Sequence, residues 1–239
     1  MTGFVPDPST GRVYTTGRAV RSTDTTPGGR LRLDALARYL QEAAEDDVAD
    51  AGWDEPYDWL LRKASVTIRG YPELGEHVVL RTFCSALGPR WAERTTTVAS
   101  EPGDLIQARA VWVAVSRETG GPAPLSPAFH RVYGPSSQGR VVSVRLSHPA
   151  PQAGVQRRKW PLRASDFDTA GHVNNSVHWA AVEDALTLVD WLPARGGIEY
   201  PQPILPGSEP VLAAGHSPGH LDVWLLADGA RLASARLAR

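Results

Sequence analysis

The stretch from residue 160 to 186 reads WPLRASDFDTAGHVNNSVHWAAVEDAL and joins a polar turn to an amphipathic segment. Gly171 permits the tight turn, because glycine reaches backbone conformations that other residues avoid. Asn174 and Asn175 are both suited to capping the free amides of a helix. The apolar spacing after them predicts a helix from Asn175 to Trp191.

This turn also carries Asp168 and His172, which are candidates for chemistry. A helix start presents unpaired N–H groups and a partial positive charge, and these polarise a carbonyl oxygen placed there. Asp168 could act on the carbonyl carbon as base or nucleophile, and His172 could orient water or move a proton. The alternative is structural, since Asp and Asn are common capping residues and His is common in turns.

An earlier stretch, RSTDTTPGGRLRL at residues 21–33, has the same layout as 163–175 at an offset of 142. LGEHVVL at 74–80 matches PGSEPVL at 206–212 at an offset of 132. Such self-similarity predicts two copies of one unit, the second shorter by ten residues. The first copy has Thr26, Arg30, Arg32 and Leu33 where the second has Asp168, His172, Asn174 and Asn175. Only the second copy carries the polar set, which favours function there.

The remaining pattern predicts an α+β fold, because strands follow strands after a first helix at 33–50. Asp228-Gly229 predicts a hairpin turn near the C-terminus. The Gly-, Pro- and Ser-rich segment 119–139 is interpreted as an interdomain linker, and 141–147 as an added strand. The strand-like runs are 13–20, 63–69, 77–85, 91–100 and 105–116.

Composition excludes several classes. The chain has 239 residues, a net charge of −1 and one cysteine, Cys84, so neither an intramolecular disulfide nor a cysteine-rich zinc site can form. The charge balance gives no sign of nucleic-acid binding, and no apolar run is long enough for a membrane span. The first residues lack the pattern of a signal peptide, and we expect a cytoplasmic protein.

The pattern Asp-x-Asp-x-x-Gly-His-Val-Asn-Asn before a helix resembles the signature of hotdog-fold thioesterases. The two-copy layout resembles the acyl-acyl carrier protein (acyl-ACP) thioesterases, which carry two hotdogs in one chain. The first-half runs TDTTPGGRLRLDALARYLQEAAEDDVADAGW, WLLRKASVTIRGYPELGEHVVLRTFCSA and ARAVWVAV are similar to that family's N-terminal domain. The resemblance covers roughly residues 13–223.

The resemblance implies roles for individual residues. Asp168 matches the family's catalytic aspartate and His172 its catalytic histidine. The plant enzymes have Asn at the position of Ala170 and a Glu-Cys pair at the positions of Pro203 and Ile204. The set of catalytic residues found in the plant enzymes is therefore incomplete in this chain.

Asp168-Thr169-Ala170-Gly171 instead resembles the Asp-x-Ala-Gly turn of 4-hydroxybenzoyl-CoA thioesterases. In those enzymes the Asp works largely alone, and a backbone amide binds the thioester oxygen. That amide corresponds to the one of Asn175, with Asn174 supporting the loop.

Other signals are weaker. Gly215-His216-Ser217-Pro218-Gly219 matches a serine-hydrolase pattern but is better interpreted as a hairpin loop. Glu183 and Asp184 are interpreted as part of a solvated helix face. The basic run Arg157-Arg158-Lys159 is either a solvated strand edge or a landing patch for an acidic carrier protein or for coenzyme A phosphates. The first-half tryptophans are candidates for the core or for an acyl tunnel: Trp53, Trp59, Trp91 and Trp112.

We therefore expect a tandem double hotdog of α+β class, each half an antiparallel sheet wrapped around a long helix, with the two sheets associated as a pseudo-dimer. Residues 1–135 would be a non-catalytic, acyl-binding domain, and 136–239 the catalytic domain. The expected activity is release of free fatty acid from acyl-ACP, without a metal or other cofactor. The alternatives are hydrolysis of acyl-coenzyme A, a non-catalytic acyl-binding protein and, more weakly, a dehydratase. A homodimer is a further expectation.

Overall fold

The structure, a computed structural model, describes residues 4–52, 57–101, 103–152 and 154–239. It divides into two compact units, one of residues up to Leu31 together with Tyr39–Arg145, the other of Arg32–Arg38 together with Leu146–Arg239. Trp53 lies outside the described residues. No helix in the described part of the chain is long and apolar enough to cross a bilayer.

The first unit is built on an antiparallel sheet in the order β1-β3-β4-β5-β2. Strands follow one another along the chain, joined by Gly- and Pro-containing turns, as the sequence predicts. Its elements are β1 (Tyr14–Ala19), α1 (Leu33–Asp50) from Tyr39 onward, β2 (Tyr57–Ile68), β3 (His77–Leu87), β4 (Trp91–Ser100), β5 (Gly103–Ser116) and α2 (Pro127–Ser137).

The predicted bounds of α1 are confirmed. Its apolar side chains recur every three or four residues, so one face is buried while the opposite face remains polar. Tyr39 and Ala43 on that face are each 1 % exposed. Asp47 follows on the same face and ties the helix to β4 through Arg94.

The interpretation of 119–139 as an interdomain linker is wrong. The segment contains α2, capped by the Ser126 hydroxyl, which accepts the N–H of Phe129 at 2.9 Å. Phe129 and Tyr133 from α2 are buried in the first unit, where Phe129 packs against Trp59 at 5.4 Å between ring centroids. Although the segment is rich in Pro and Gly, its buried apolar residues anchor it to the first unit. Residues 141–147 also form no strand.

The second unit repeats the plan with a sheet in the order β7-β10-β9-β8-β6. Its elements are β6 (Gln156–Lys159), α3 (Asn175–Ala185), β7 (Arg195–Glu199), β8 (Val211–Ser217), β9 (His220–Ala227) and β10 (Ala230–Ala238). The predicted hairpin is confirmed, with Asp228 and Gly229 both at positive φ between β9 and β10. The helix ends at Ala185, not at Trp191, and a 3₁₀ turn over Leu186–Leu188 follows it.

Both sequence offsets are confirmed by strand register. Tyr14 of β1 faces Thr82 of β3, and Gln156 of β6 faces Ala214 of β8, at offsets of 142 and 132. Since α1 has 18 residues and α3 has 11, most of the ten-residue difference is lost from the second helix.

Candidate active site

The polar turn of the second unit is a tight hairpin ahead of α3. Phe167 and Val173 form an antiparallel bridge. Inside it the Asp168 N–H donates to the His172 carbonyl at 2.8 Å, and the Gly171 N–H donates to the Asp168 carbonyl at 3.0 Å. Gly171 has a φ of +74°, a value that favours glycine. The backbone therefore holds Asp168 and His172 directly opposite each other.

The Asp168 side chain is half-buried and organises this hairpin. Its Oδ1 accepts the N–H groups of Ala170 at 3.0 Å and His172 at 3.1 Å. Among the described residues its Oδ2 meets no hydrogen-bond donor. One carboxylate oxygen thus fixes the loop, and the other remains free to accept a proton or attack a carbonyl carbon.

The start of α3 supplies the complementary group. Asn174 is the N-cap, and its Oδ1 accepts the N–H of Ser176 at 2.9 Å and the hydroxyl of Ser176 at 2.7 Å. Asn175 is the first helical residue, and its N–H finds no acceptor in the part of the chain that the structure describes. The capping interpretation holds for Asn174, whereas Asn175 presents an unused amide beside the Asp168 hairpin.

The hairpin is anchored to the rest of the unit by backbone hydrogen bonds. The Asn174 N–H donates to the Asp166 carbonyl at 2.8 Å, and the Val173 N–H donates to the Ile204 carbonyl at 3.0 Å. Ile204 is 1 % exposed. At this position the chain contributes a buried side chain and a structural carbonyl. The His172 ring is half-buried.

Asp166 plays a different part from Asp168, although both belong to the same motif. It is 3 % exposed and accepts the backbone N–H of Arg163 at 2.8 Å as well as the guanidinium of the same residue at 2.8 Å. Asp24 of the first unit accepts the Arg21 N–H in the same way, at 3.3 Å. Because both copies keep this contact, Asp166 is a structural residue of the turn.

The first unit has the same hairpin without the polar set. The Thr26 N–H donates to the Arg30 carbonyl at 2.8 Å, the Gly29 N–H to the Thr26 carbonyl at 2.9 Å, and Gly29 has a φ of +88°. The turn therefore forms without an aspartate at this position.

The amide that corresponds to the one of Asn175 is the N–H of Leu33, and it is occupied. Glu183 on α3 accepts it through Oε2 at 2.9 Å. The interpretation of Glu183 as part of a solvated face is wrong, because its carboxylate satisfies a free amide at the start of α1. Its neighbour Asp184 does lie at the surface, where it pairs with Arg158 at 2.9 Å.

His178 was not singled out by sequence reasoning. It lies one turn into α3, is 4 % exposed, and its ring meets that of Tyr200 edge-on with centroids 5.0 Å apart. Burial lowers its pKa to about 4, so the ring is neutral near pH 7. The available signal was its position four residues after Asn174, whose carbonyl lies 3.2 Å from its Nδ1.

The other candidates take no part in this site. Cys84 is buried, and desolvation raises the pKa of its thiol to about 12, so it is no nucleophile near neutral pH. Pro218 and Gly219 connect β8 to β9, which confirms the hairpin interpretation of that segment. Arg157, Arg158 and Lys159 are exposed on β6. Among the described residues no group of three or more His, Cys, Asp or Glu side chains is arranged to hold a metal ion.

Comparison with known proteins places the chain in a family. Residues 11–133 match the acyl-ACP thioesterase N-terminal domain. An uncharacterised protein of Mycobacterium tuberculosis is 30% identical over 207 residues, which cover 85% of this chain and 83% of that protein.

Solved structures share the fold. A 12:0-ACP thioesterase from Umbellularia californica aligns over 95% of this chain and 96% of its own, with a TM-score of 0.80 and 19% identity. An acyl-ACP thioesterase from Bacteroides thetaiotaomicron aligns over 95% and 97%, with a TM-score of 0.78 and 18% identity. These likenesses confirm the tandem double hotdog of α+β class. The chain belongs to the acyl-ACP thioesterase family and is a thioester hydrolase.

Proposed function

We propose that the protein releases free fatty acid from acyl-ACP at the hairpin and helix start of its second unit. The observation that carries this is a pair of unused groups in one hairpin and the helix start that follows it: among the described residues, Asp168 Oδ2 meets no donor and the Asn175 N–H meets no acceptor. The first copy of the turn has Thr26 in place of the aspartate, and Glu183 occupies the corresponding amide, the N–H of Leu33.

The reaction assigns one task to each group. Asp168 takes a proton from a water molecule whose oxygen attacks the carbonyl carbon, or Asp168 attacks that carbon itself, and in either case the oxyanion that forms accepts the Asn175 N–H. The C–S bond then breaks and the carrier thiolate takes up a proton. On the first route the acyl group leaves directly as the free acid, and on the second route water hydrolyses the acyl-aspartate anhydride to the free acid and regenerates Asp168. His172 assists proton movement or water orientation, and Asn174 keeps the helix start in place by capping it.

The remaining assignments belong to the same proposal. Residues 1–135 form the non-catalytic domain that holds the acyl chain, and 136–239 form the catalytic domain. The exposed run Arg157-Arg158-Lys159 receives an acidic carrier protein. We further propose a cytoplasmic location and a homodimer.

The decisive measurement is thiol release from matched acyl-ACP and acyl-coenzyme A esters, C8 to C18, by the wild type and Asp168→Asn. Asparagine keeps an oxygen for the loop amides but is no base, so we expect a fall in turnover of about 10²-fold or more with an unchanged circular dichroism spectrum. Thr26→Ala, at the matching turn position of the first unit, is the control and should retain full turnover.

Each alternative gives a different result. A higher kcat/KM for the coenzyme A esters identifies an acyl-coenzyme A thioesterase. Tight acyl binding without turnover of any ester identifies a binding protein and refutes the proposed activity. An Asp168→Asn variant as active as the wild type removes Asp168 from the mechanism.

A further inference from the structure

The peptide group whose N–H is assigned to the oxyanion also makes a hydrogen bond through its carbonyl oxygen. The Asn175 N–H and the Asn174 carbonyl belong to the same planar peptide unit. His178 Nδ1 lies 3.2 Å from that carbonyl oxygen. A carbonyl oxygen only accepts hydrogen bonds, so Nδ1 must carry the proton and donate it.

We propose that His178 is a positioning residue for thioester hydrolysis, because its hydrogen bond to the Asn174 carbonyl orients and polarises the peptide unit that presents the Asn175 N–H. This inference rests on the proposed function, since it concerns the amide assigned there to the oxyanion. It adds a residue that does not touch the substrate.

The physical effect has two parts. A rigid planar peptide that is held at its carbonyl end cannot tilt freely at its N–H end, so the donor direction is preorganised. A donor on the carbonyl oxygen also draws electron density through the amide, which makes the N–H on the other side a stronger donor. The Val177 N–H donates to the same carbonyl at 3.0 Å, so the oxygen is held by two donors.

The surroundings keep this hydrogen bond constant. The His178 ring is 4 % exposed and packs edge-on against Tyr200, which restricts its rotation. Burial keeps the ring neutral in the pH range in which most enzymes work. The donor is therefore in place before the substrate arrives.

The first copy of the turn and helix provides an internal comparison. Leu36 occupies the position that corresponds to His178 at the offset of 142, and it is likewise buried, at 2 % exposed. Its side chain has no donor. In that copy Glu183 already accepts the helix-start N–H, so this N–H is not available to an oxyanion. A donor at this position is present only where the amide is free.

Two substitutions separate the hydrogen bond from the packing. His178→Phe keeps a ring against Tyr200 but removes the donor, whereas His178→Asn keeps an N–H at the δ position but removes the ring. For acyl-ACP hydrolysis we expect His178→Phe to lower kcat by about tenfold with KM within about twofold, as for loss of one hydrogen bond in the transition state. His178→Asn should have the lower Tm but the higher kcat of the two.

His148→Phe is the matched control. His148 is a half-buried histidine of the same unit, and its Nδ1 lies 3.0 Å from the carbonyl oxygen of Ser234 on β10. This variant should lose stability and keep kcat. A kcat that simply follows Tm across the three variants overturns the inference, because packing alone would then explain every result.

A second readout does not depend on turnover. In ¹⁵N-labelled protein, the amide proton of Asn175 should move upfield in His178→Phe but not in His148→Phe, because loss of the donor reduces the polarisation of that peptide. An unchanged Asn175 shift refutes the role of His178 even in an active enzyme. A shifted Asn175 signal in a protein whose wild type hydrolyses no ester refutes the proposed function and leaves the hydrogen bond established.

Discussion

Two carboxylates of α1, those of Asp47 and Asp50, differ in how deeply they are buried. Asp47 is 1 % exposed at its side chain and lies between Arg12 at 2.5 Å and Arg94 at 2.6 Å. Asp50, one turn later, is 58 % exposed and pairs with the same Arg12. The structure therefore contains a matched pair of buried and exposed ion pairs on α1.

We expect Asp47→Asn to lower the free energy of unfolding by about 3 kcal/mol, because it removes the buried carboxylate that the partly buried Arg12 and Arg94 guanidinium groups share. Asp50→Asn should cost less than about 1 kcal/mol, since water screens an exposed pair. Urea unfolding of both variants measures the difference. Equal losses would contradict the assignment of Asp47 as a buried ionic link between α1 and β4.

His178 also makes stability depend on pH. Its pKa is lowered from 6.5 to about 4 by burial, so the folded protein resists protonation of this ring more than the unfolded chain does. Its contribution is therefore complete above about pH 6.5 and is lost as the pH falls towards 4.

The comparison with His178→Phe isolates this contribution. The stability advantage of the wild type over this variant should shrink by about 1.4 kcal/mol per pH unit between pH 6.5 and 4. Denaturant unfolding at pH 7.5, 6.0 and 5.0 measures it. A constant difference across these pH values would show that the ring titrates alike in the folded and unfolded states.

At the scale of elements, the hairpins around Gly29 and Gly171 have the same backbone structure but carry different side chains. Gly171 and Gly29 both adopt positive φ, and a Cβ on Gly171 would meet no atom within 4 Å. At Gly29 the nearest atom would be Leu74 Cβ at 3.9 Å, an ordinary contact. Alanine at either position is therefore penalised by backbone conformation and not by collision.

We expect Gly171→Ala and Gly29→Ala to lower the free energy of unfolding by a similar amount, about 1 kcal/mol. Only Gly171→Ala should also reduce kcat, because that hairpin holds Asp168. Thermal unfolding together with steady-state hydrolysis of acyl-ACP tests both statements. A comparable loss of turnover in Gly29→Ala would place the first hairpin in the reaction as well.

At the scale of the whole molecule, charge is nearly balanced, with 25 basic and 26 acidic residues. Because the net charge is close to zero, the basic run Arg157-Arg158-Lys159 produces a local positive potential that the rest of the molecule neither strengthens nor cancels. Such a potential would steer an acidic carrier protein towards this run. Within that run Arg158 already pairs with Asp184, which leaves Arg157 and Lys159 as the residues to change.

We expect the double variant Arg157→Ser/Lys159→Ser to raise KM for acyl-ACP several-fold at low ionic strength while kcat is unchanged. The difference should diminish above about 0.3 M salt, because surface charges are screened over less than 10 Å there. Arg117→Ser, a change at an exposed arginine paired with Asp58, is the control. A KM that is unchanged at low salt refutes the carrier-docking role.

Much of each element could be predicted from local sequence. The helix at 33–50, the strand at 91–100 and the Asp228-Gly229 turn all depend on apolar spacing and glycine within a few residues. The end of α3 was wrong by six residues, because apolar spacing continues past Ala185. The Thr187 hydroxyl donates to the Asp184 carbonyl at 2.8 Å where the 3₁₀ turn begins.

The sequence by itself determined the repeat and both of its offsets, because matching residues recur at constant spacing. It also determined the polar turn before the second helix, because that turn is held by hydrogen bonds between near neighbours. Only the tertiary structure decided which helix-start amide is free. Glu183 reaches the Leu33 N–H across 150 residues of chain, and burial lowers the pKa of His178 and so keeps its ring neutral near pH 7. Such contacts depend on which surfaces pack together in the folded chain, and the spacing of residues in the sequence does not predict this packing.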